Sequence, residues 1–428
     1  MKSKLITLLI LSLSAALGGC QSNEKAAPKT TQTSPSTAKK IRAKGGKNPL
    51  SQPTLVLTQA QFAWETNAAG KRIPKPGPAK ILLLSRLGDG WLSNTLEDED
   101  SRVFHKAVCR EKSLLTIAGT DALLKTWDWQ DGQWQSQSHW QPKFGGAWDR
   151  LRDFEFGDVD GDQANELIIA THDQGVIGVG KEKNGVWSVK EIYREADTFI
   201  HEIEIGNLRA KGTPRIYSTP SKPNKADYSQ SGKIMESFLD GDSYKNKTII
   251  TLKDRHAKEI LVADMNEDGV DELYASIEAH KVTKNGEKKI VAPLEIRRYK
   301  IKGNGKWAES LVTRLEGGIQ ARVLSVGSPQ QKDLKQMLVT TMRGGLYLLT
   351  PDKQLKKWDK LLIDKDSSGF EHAGNFADTD GDGLDEIYVA ADDQDRISQY
   401  RWQDGAFVRE DIFSLNKSDI TWSIEFCP

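Results

Sequence analysis

Only three cysteines occur in 428 residues, too few for a disulfide-dense scaffold or a Cys-ligated zinc module. No run of 18 or more apolar residues exists, so no segment has the length of a membrane-spanning helix. No G-x-S-x-G elbow, P-loop, H-E-x-x-H pair or dinucleotide fingerprint is present, and none of those chemistries is expected. Net charge is also missing, with 60 Lys plus Arg against 60 Asp plus Glu. That balance hides an asymmetry, because residues 21–52 carry seven basic residues against Glu24 alone. The remainder, 53–428, holds 51 basic and 59 acidic residues. An acidic body has no basic face with which to displace counterions, so no nucleic-acid partner is expected. What the chain does have is 36 Gly, 12 Trp and 37% hydrophobic residues, enough for many turns around a large core.

Lys2 and Lys4 precede a 13-residue apolar stretch, Leu5 to Leu17, which ends at Gly18-Gly19-Cys20. A charged start, a short apolar core and small residues describe a signal peptide over 1–19. The cysteine behind the small residues resembles the lipobox of bacterial lipoproteins. That resemblance implies cleavage before Cys20, acylation of its sulfur and attachment to membrane lipid at the cell envelope. In a host with two membranes, Gln21 implies sorting to the outer one. Residues 20–52 are rich in Ser, Thr, Ala, Lys and Pro with little to bury, and are expected to form a disordered tether.

Beyond the tether the chain repeats. Acidic segments recur at Asp158–Glu166, Asp264–Glu272 and Asp378–Glu386, 106 and 114 residues apart, about twice a unit of 50–57 residues. Weaker copies that keep the strands and lose the acids lie halfway, around Asn207 and Ser328. Asp-Gly and Asn-Gly hairpin signals precede aromatics at Asp89-Gly90, Asp131-Gly132, Asn184-Gly185, Asp240-Gly241, Asn304-Gly305 and Asp404-Gly405, with Asp352-Lys353 in the sixth unit. Seven units of four short strands predict an all-β, seven-bladed β-propeller over 53–428. The first unit lacks a leading strand, and Ile420–Phe426 at the C-terminus matches one. That strand is expected to complete blade one and remove a free edge. Long upper-face loops are expected at 67–78, 219–231 and 278–292.

The acidic segments resemble FG-GAP/VCBS repeats, the blades of integrin α-like propellers. The resemblance implies that each acidic loop joins the first and second strands of its blade and binds calcium. The calcium ligands would be Asp158, Asp160, Asp162, the Ala164 carbonyl and Glu166 in blade three. In blade five they would be Asp264, Asn266, Asp268, the Val270 carbonyl and Glu272. In blade seven they would be Asp378, Asp380, Asp382, the Leu384 carbonyl and Glu386. Carboxylates at alternate positions of a curved loop suit the six to eight oxygens that calcium takes. An EF-hand is excluded, since its twelfth position would be Ile169, Ala275 or Val389. About three structural calcium ions are expected. In blade four, Arg209 and Lys211 hold ligand positions and exclude one.

Leading strands of this family start on the face opposite the acidic loops, beside the central channel. Six residues before the loop stand Arg152, His201, Arg322 and His372. Strand matching adds His105 and Trp422, and blade five offers His256 next to Ala257. These would form an upper ring of cationic or titratable groups that engages a ligand, such as a glycan, another anionic ligand or an envelope protein. The function expected is a membrane-anchored binding or scaffold module. The alternative is a propeller enzyme, for example a polysaccharide lyase with a metal on upper-face histidines. Cys109 and Cys427 fall near the ends of neighbouring leading strands, and either a disulfide or two buried thiols is compatible with that placement.

Overall fold

A computed structural model describes residues 40–42 and 47–428, apart from 67–69, 71, 89, 147–148, 224–228, 285, 304 and 317. Seven antiparallel blade sheets follow one another, six of four strands and one, blade two, with a fifth strand added at its outer edge. Their leading strands are Phe104–Arg110, Leu151–Gly157, Phe199–Gly206, Ala257–Ala263, Ala321–Gly327 and Gly374–Ala377 for blades two to seven. Each packs against the next, and the C-terminal strand Ile420–Cys427 packs against both blade seven and blade two, so the ring closes. That last strand pairs with Thr54–Thr66, from Thr54 opposite Cys427 to Gln59 opposite Thr421. Blade one is therefore built from both ends of the chain, as its missing strand required.

The core is not central. Seven apolar clusters form, each shared by two adjacent blades, such as Ile168, Ile177, Ile203 and Ile216 between blades three and four. The sequence pattern explains this. Second strands such as Glu166–Thr171 and Glu386–Ala391 are buried on both faces, whereas outer strands such as Val186–Arg194 alternate. Third and fourth strands join through two-residue turns at Asp131-Gly132, Asn184-Gly185 and Asp404-Gly405, both members at positive φ. At the ends of leading strands the blades come closest. A Cβ on Gly206 would lie 2.2 Å from Val262, and one on Gly327 would lie 2.3 Å from Phe376.

Three expectations change. The body begins before residue 53: Asn48 Oδ1 accepts from the Leu50 amide at 2.9 Å, and Leu50 is buried between blades one and two. Further upstream, Lys40–Arg42 pair with Gln133–Gln135 on the outer edge of blade two. The stretch 67–78 is not a long loop, because Arg72–Leu87 is one strand paired to Thr54–Thr66. Similarly, 278–292 folds on itself as the hairpin His280–Lys284 with Glu287–Ala292. The signal peptide and Cys20 lie outside the described residues. Among those described, no helix is long and apolar enough to cross a membrane.

Candidate functional site

The acidic loops do join first and second strands, on what is here called the lower face. Their internal geometry repeats closely. Glu166, Glu272 and Glu386 each accept from the amide of the loop's second residue, Val159, Met265 and Thr379, at 3.0–3.1 Å. The first aspartate closes the turn by accepting two amides: Gly161 and Gln163 on Asp158, Gly381 and Gly383 on Asp378. In blade three, oxygens of Asp158, Asp160 and Glu166 lie within 4.8 Å of one another, as do those of Asp378, Asp380 and Asp382 in blade seven. These two groups suit a hard cation. In blade five no three acidic oxygens come so close among the described residues, and Asn266 donates to Asp268 at 3.0 Å.

The third strand supplies the loops of blades three and seven with a tethered counter-charge, which the sequence reading missed. Lys181 Nζ lies 2.5 Å from Asp160, 2.8 Å from Asp162 and 3.2 Å from Glu166. Arg401, at the matching register position of blade seven, reaches Asp380 and Glu386 at 3.2 Å each. Blade four reverses the polarity. There Arg209 and Arg215 in and after the loop pair with Glu236 on the third strand, at 2.5 and 3.1 Å. Side chains next to the proposed ligands also stitch blades together. Asp271 accepts from the Asn207 amide at 2.6 Å, and Asp385 from that of Ser328 at 2.7 Å.

Around the upper end of the channel, Arg152 lies over the Trp422 ring at 5.6 Å, and His105 meets that ring at 4.6 Å. His201 touches His256 at 5.6 Å and His172 at 5.2 Å between ring centres. Arg322 lies over Phe370 and pairs with Glu371 at 3.5 Å. Lys258 reaches the same carboxylate at 3.3 Å. Six of the seven expected ring residues therefore cluster. His372 does not: its nitrogens bond the Thr341 carbonyl at 2.7 Å and Ser367 at 2.8 Å, so it packs between blades six and seven. The blade-five member is corrected too, since six residues before Asp264 is Lys258.

Burial decides the charge of this ring. It holds His256 near pKa 3 and His172 and His372 near 4, and drives His105 and His201 well below the usual imidazole value. The histidines are neutral at pH 7, and the positive charge belongs to Arg152, Arg322 and Lys258. Below them the channel turns acidic. Lys106 pairs with Asp153 at 3.0 Å and with Glu155, while Glu202, Glu204 and Glu425 follow on neighbouring leading strands. Burial raises Glu425 to about 7 and Glu202 well above the carboxylate range. Among the described residues, no three His, Cys, Asp or Glu ligand atoms converge at this end.

No family model matches the chain, and no curated protein matches it. Solved structures do. A putative 6-phosphogluconolactonase from Bacteroides uniformis superposes with a TM-score of 0.52 at 11% identity, over 88% of this chain and 99% of that one. The periplasmic gluconolactonase of Pseudomonas aeruginosa gives 0.52 at 10%, covering 87% and 99%. A Synechocystis ACO mutant gives 0.54 at 10%, covering 92% and 97%. At such identities the likeness shows the β-propeller fold alone.

Proposed function

We propose that this chain is an envelope-tethered β-propeller that binds an anionic ligand, such as an acidic glycan, at the upper end of its channel. The observation that carries this reading is the unsatisfied polar rim. Arg322 Nε, His201 Nδ1 and Trp422 Nε1 are buried without hydrogen-bond partners, beside the cationic Arg152 and the Trp422 ring. Buried donors without acceptors favour a ligand that brings oxygens. A guanidinium suits a carboxylate, and an indole face suits a sugar ring. Calorimetry with an oligogalacturonate tests it. The double variant Arg152→Ala, Trp422→Ala is expected to bind at least tenfold more weakly, roughly the loss of one charge-assisted hydrogen bond. Equal affinity would move the ligand elsewhere.

The metal-assisted lyase reading has less support, because His105 and His372 are bonded to backbone carbonyls, and among the described residues no three ligand atoms of the upper histidines converge on one point. Calcium belongs to the proposal as a structural ion at the lower face, on the FG-GAP/VCBS-like loops. The donor sets of blades three and seven fit a hard cation, with Lys181 and Arg401 as competitors for the same carboxylates. When bound, the ion would neutralise the loop.

Attachment through an acylated Cys20 is the remaining element, supported by the lipobox-like leader. Cys20→Ser is expected to shift the protein from the membrane to the soluble fraction. Unchanged fractionation would exclude acylation as the anchor.

A further inference from the structure

A second cavity lies away from the channel mouth, on the lower face between blades two and three. Its volume is about 580 Å³, inside the range of roughly 300–1,000 Å³ typical of small-ligand sites. Val108, Cys109, Phe156 and Trp187 give it apolar walls, while Arg110, Asn165, Lys181 and Glu182 stand at its polar side. Phe156 and Trp187 are inclined at 55° with centres 6.2 Å apart, and the Arg110 guanidinium lies 5.7 Å from each ring.

Charge and hydrogen bonding narrow the occupant. Every formal charge at the cavity is already paired within the protein: Arg110 with Glu182 at 2.9 Å, and Lys181 with Asp162 and Glu166 at 2.8 and 3.2 Å. The lining has three carboxylates against two cations, so it offers a polyanion no net attraction. One polar group is left over. The indole N–H of Trp187 has no partner, although the residue is only 7% exposed. A buried donor of this kind calls for an acceptor. What the cavity presents is two aromatic rings, an orphan N–H, an amide at Asn165, and carboxylate lone pairs able to accept hydroxyls. A neutral ring carrying both C–H faces and hydroxyl groups satisfies all of these.

From this lining we infer that the cavity between blades two and three binds a short segment of neutral saccharide, separately from the anionic ligand of the channel. The rings would take the C–H faces, Trp187 Nε1 would donate to a sugar oxygen, and Asn165 with Glu182 would hold hydroxyls.

The test uses the full chain with cellotriose, maltotriose and triacetylchitotriose as neutral probes and trigalacturonate as the charged control. Binding is followed by saturation-transfer NMR and tryptophan fluorescence. At least one neutral trisaccharide is expected to bind saturably at millimolar concentration or below. Trp187→Phe keeps an aromatic ring but removes the donor together with part of the indole, and Asn165→Ala alters an exposed residue. Each is expected to weaken binding by up to about tenfold, the worth of one hydrogen bond. Arg152→Ala, at the channel, should leave neutral-sugar binding unchanged, which separates this site from the other. Should Trp187→Phe lose its fold, Asn165→Ala still decides. Absence of saturable binding by all three neutral probes overturns the inference. So does wild-type affinity in Asn165→Ala, or a preference for trigalacturonate at this cavity.

Discussion

Removing the bond between Cys109 and Cys427 is expected to lower unfolding stability by about 6 kcal/mol, the chain-entropy value for so long a loop. The two residues are 318 positions apart, with Cα atoms 5.8 Å from one another, and they fasten the last strand to the first strand of blade two. The bond matters for topology as well as entropy. Among the described residues Ile420–Cys427 alone completes blade one, and it holds Ile424 in the cluster that joins blades seven and one. Releasing it would expose the edge of Thr54–Thr66 and loosen two inter-blade cores together. Cys427 is also buried, so the Cys109→Ala, Cys427→Ala variant carries a small packing loss besides. Urea unfolding with and without reductant reads both effects. The reduced wild type and the double variant should unfold at similar, much lower midpoints. An unchanged midpoint in reductant would mean that strand pairing alone closes the ring.

Much of this architecture was legible because each blade repeats the same local chemistry. Asp-Gly and Asn-Gly turns mark the outer hairpins, acidic loops mark the lower face, and an unpartnered C-terminal strand marks closure. The illegible parts come from contacts between segments with no fixed spacing. Lys181 lies 15 residues beyond Glu166, just past the buried run of a strand that signals only a sheet, so nothing local ties it to the loop. The saccharide cavity takes Arg110 from one blade and Phe156, Asn165 and Trp187 from the next. His372 shows the opposite failure. Its place in the repeat points to the channel, but a positive φ of 47° and two hydrogen bonds turn it between blades. Blade seven supplies the channel with the preceding residue, Glu371, instead. Repeat alignment finds positions to within a residue, and in a β-strand one residue reverses the direction of the side chain.

Lys181→Met is expected to make the protein more dependent on calcium than the wild type. The ammonium stands among Asp160, Asp162 and Glu166, where a bound cation would have to stand, and those three carboxylates raise its pKa. Half of the lysine side chain is exposed, so solvent screens much of the attraction, and the pair with Asp162 counts for little. Glu166 differs, because it is almost fully buried and loses the one charged partner it has among the described residues. Without metal, Lys181→Met should therefore cost about 1–2 kcal/mol, the penalty for leaving a buried polar group uncompensated. With calcium the sign of the comparison changes. The ion no longer has to displace a tethered cation, so blade three should bind it at least tenfold more tightly than in the wild type. A site filled at a hundred times its dissociation constant contributes about 2.7 kcal/mol. Melting with calcium and with excess chelator should then differ more for Lys181→Met than for the wild type. Identical melts for both proteins under both conditions would show that neither Lys181 nor calcium has a part in holding blade three.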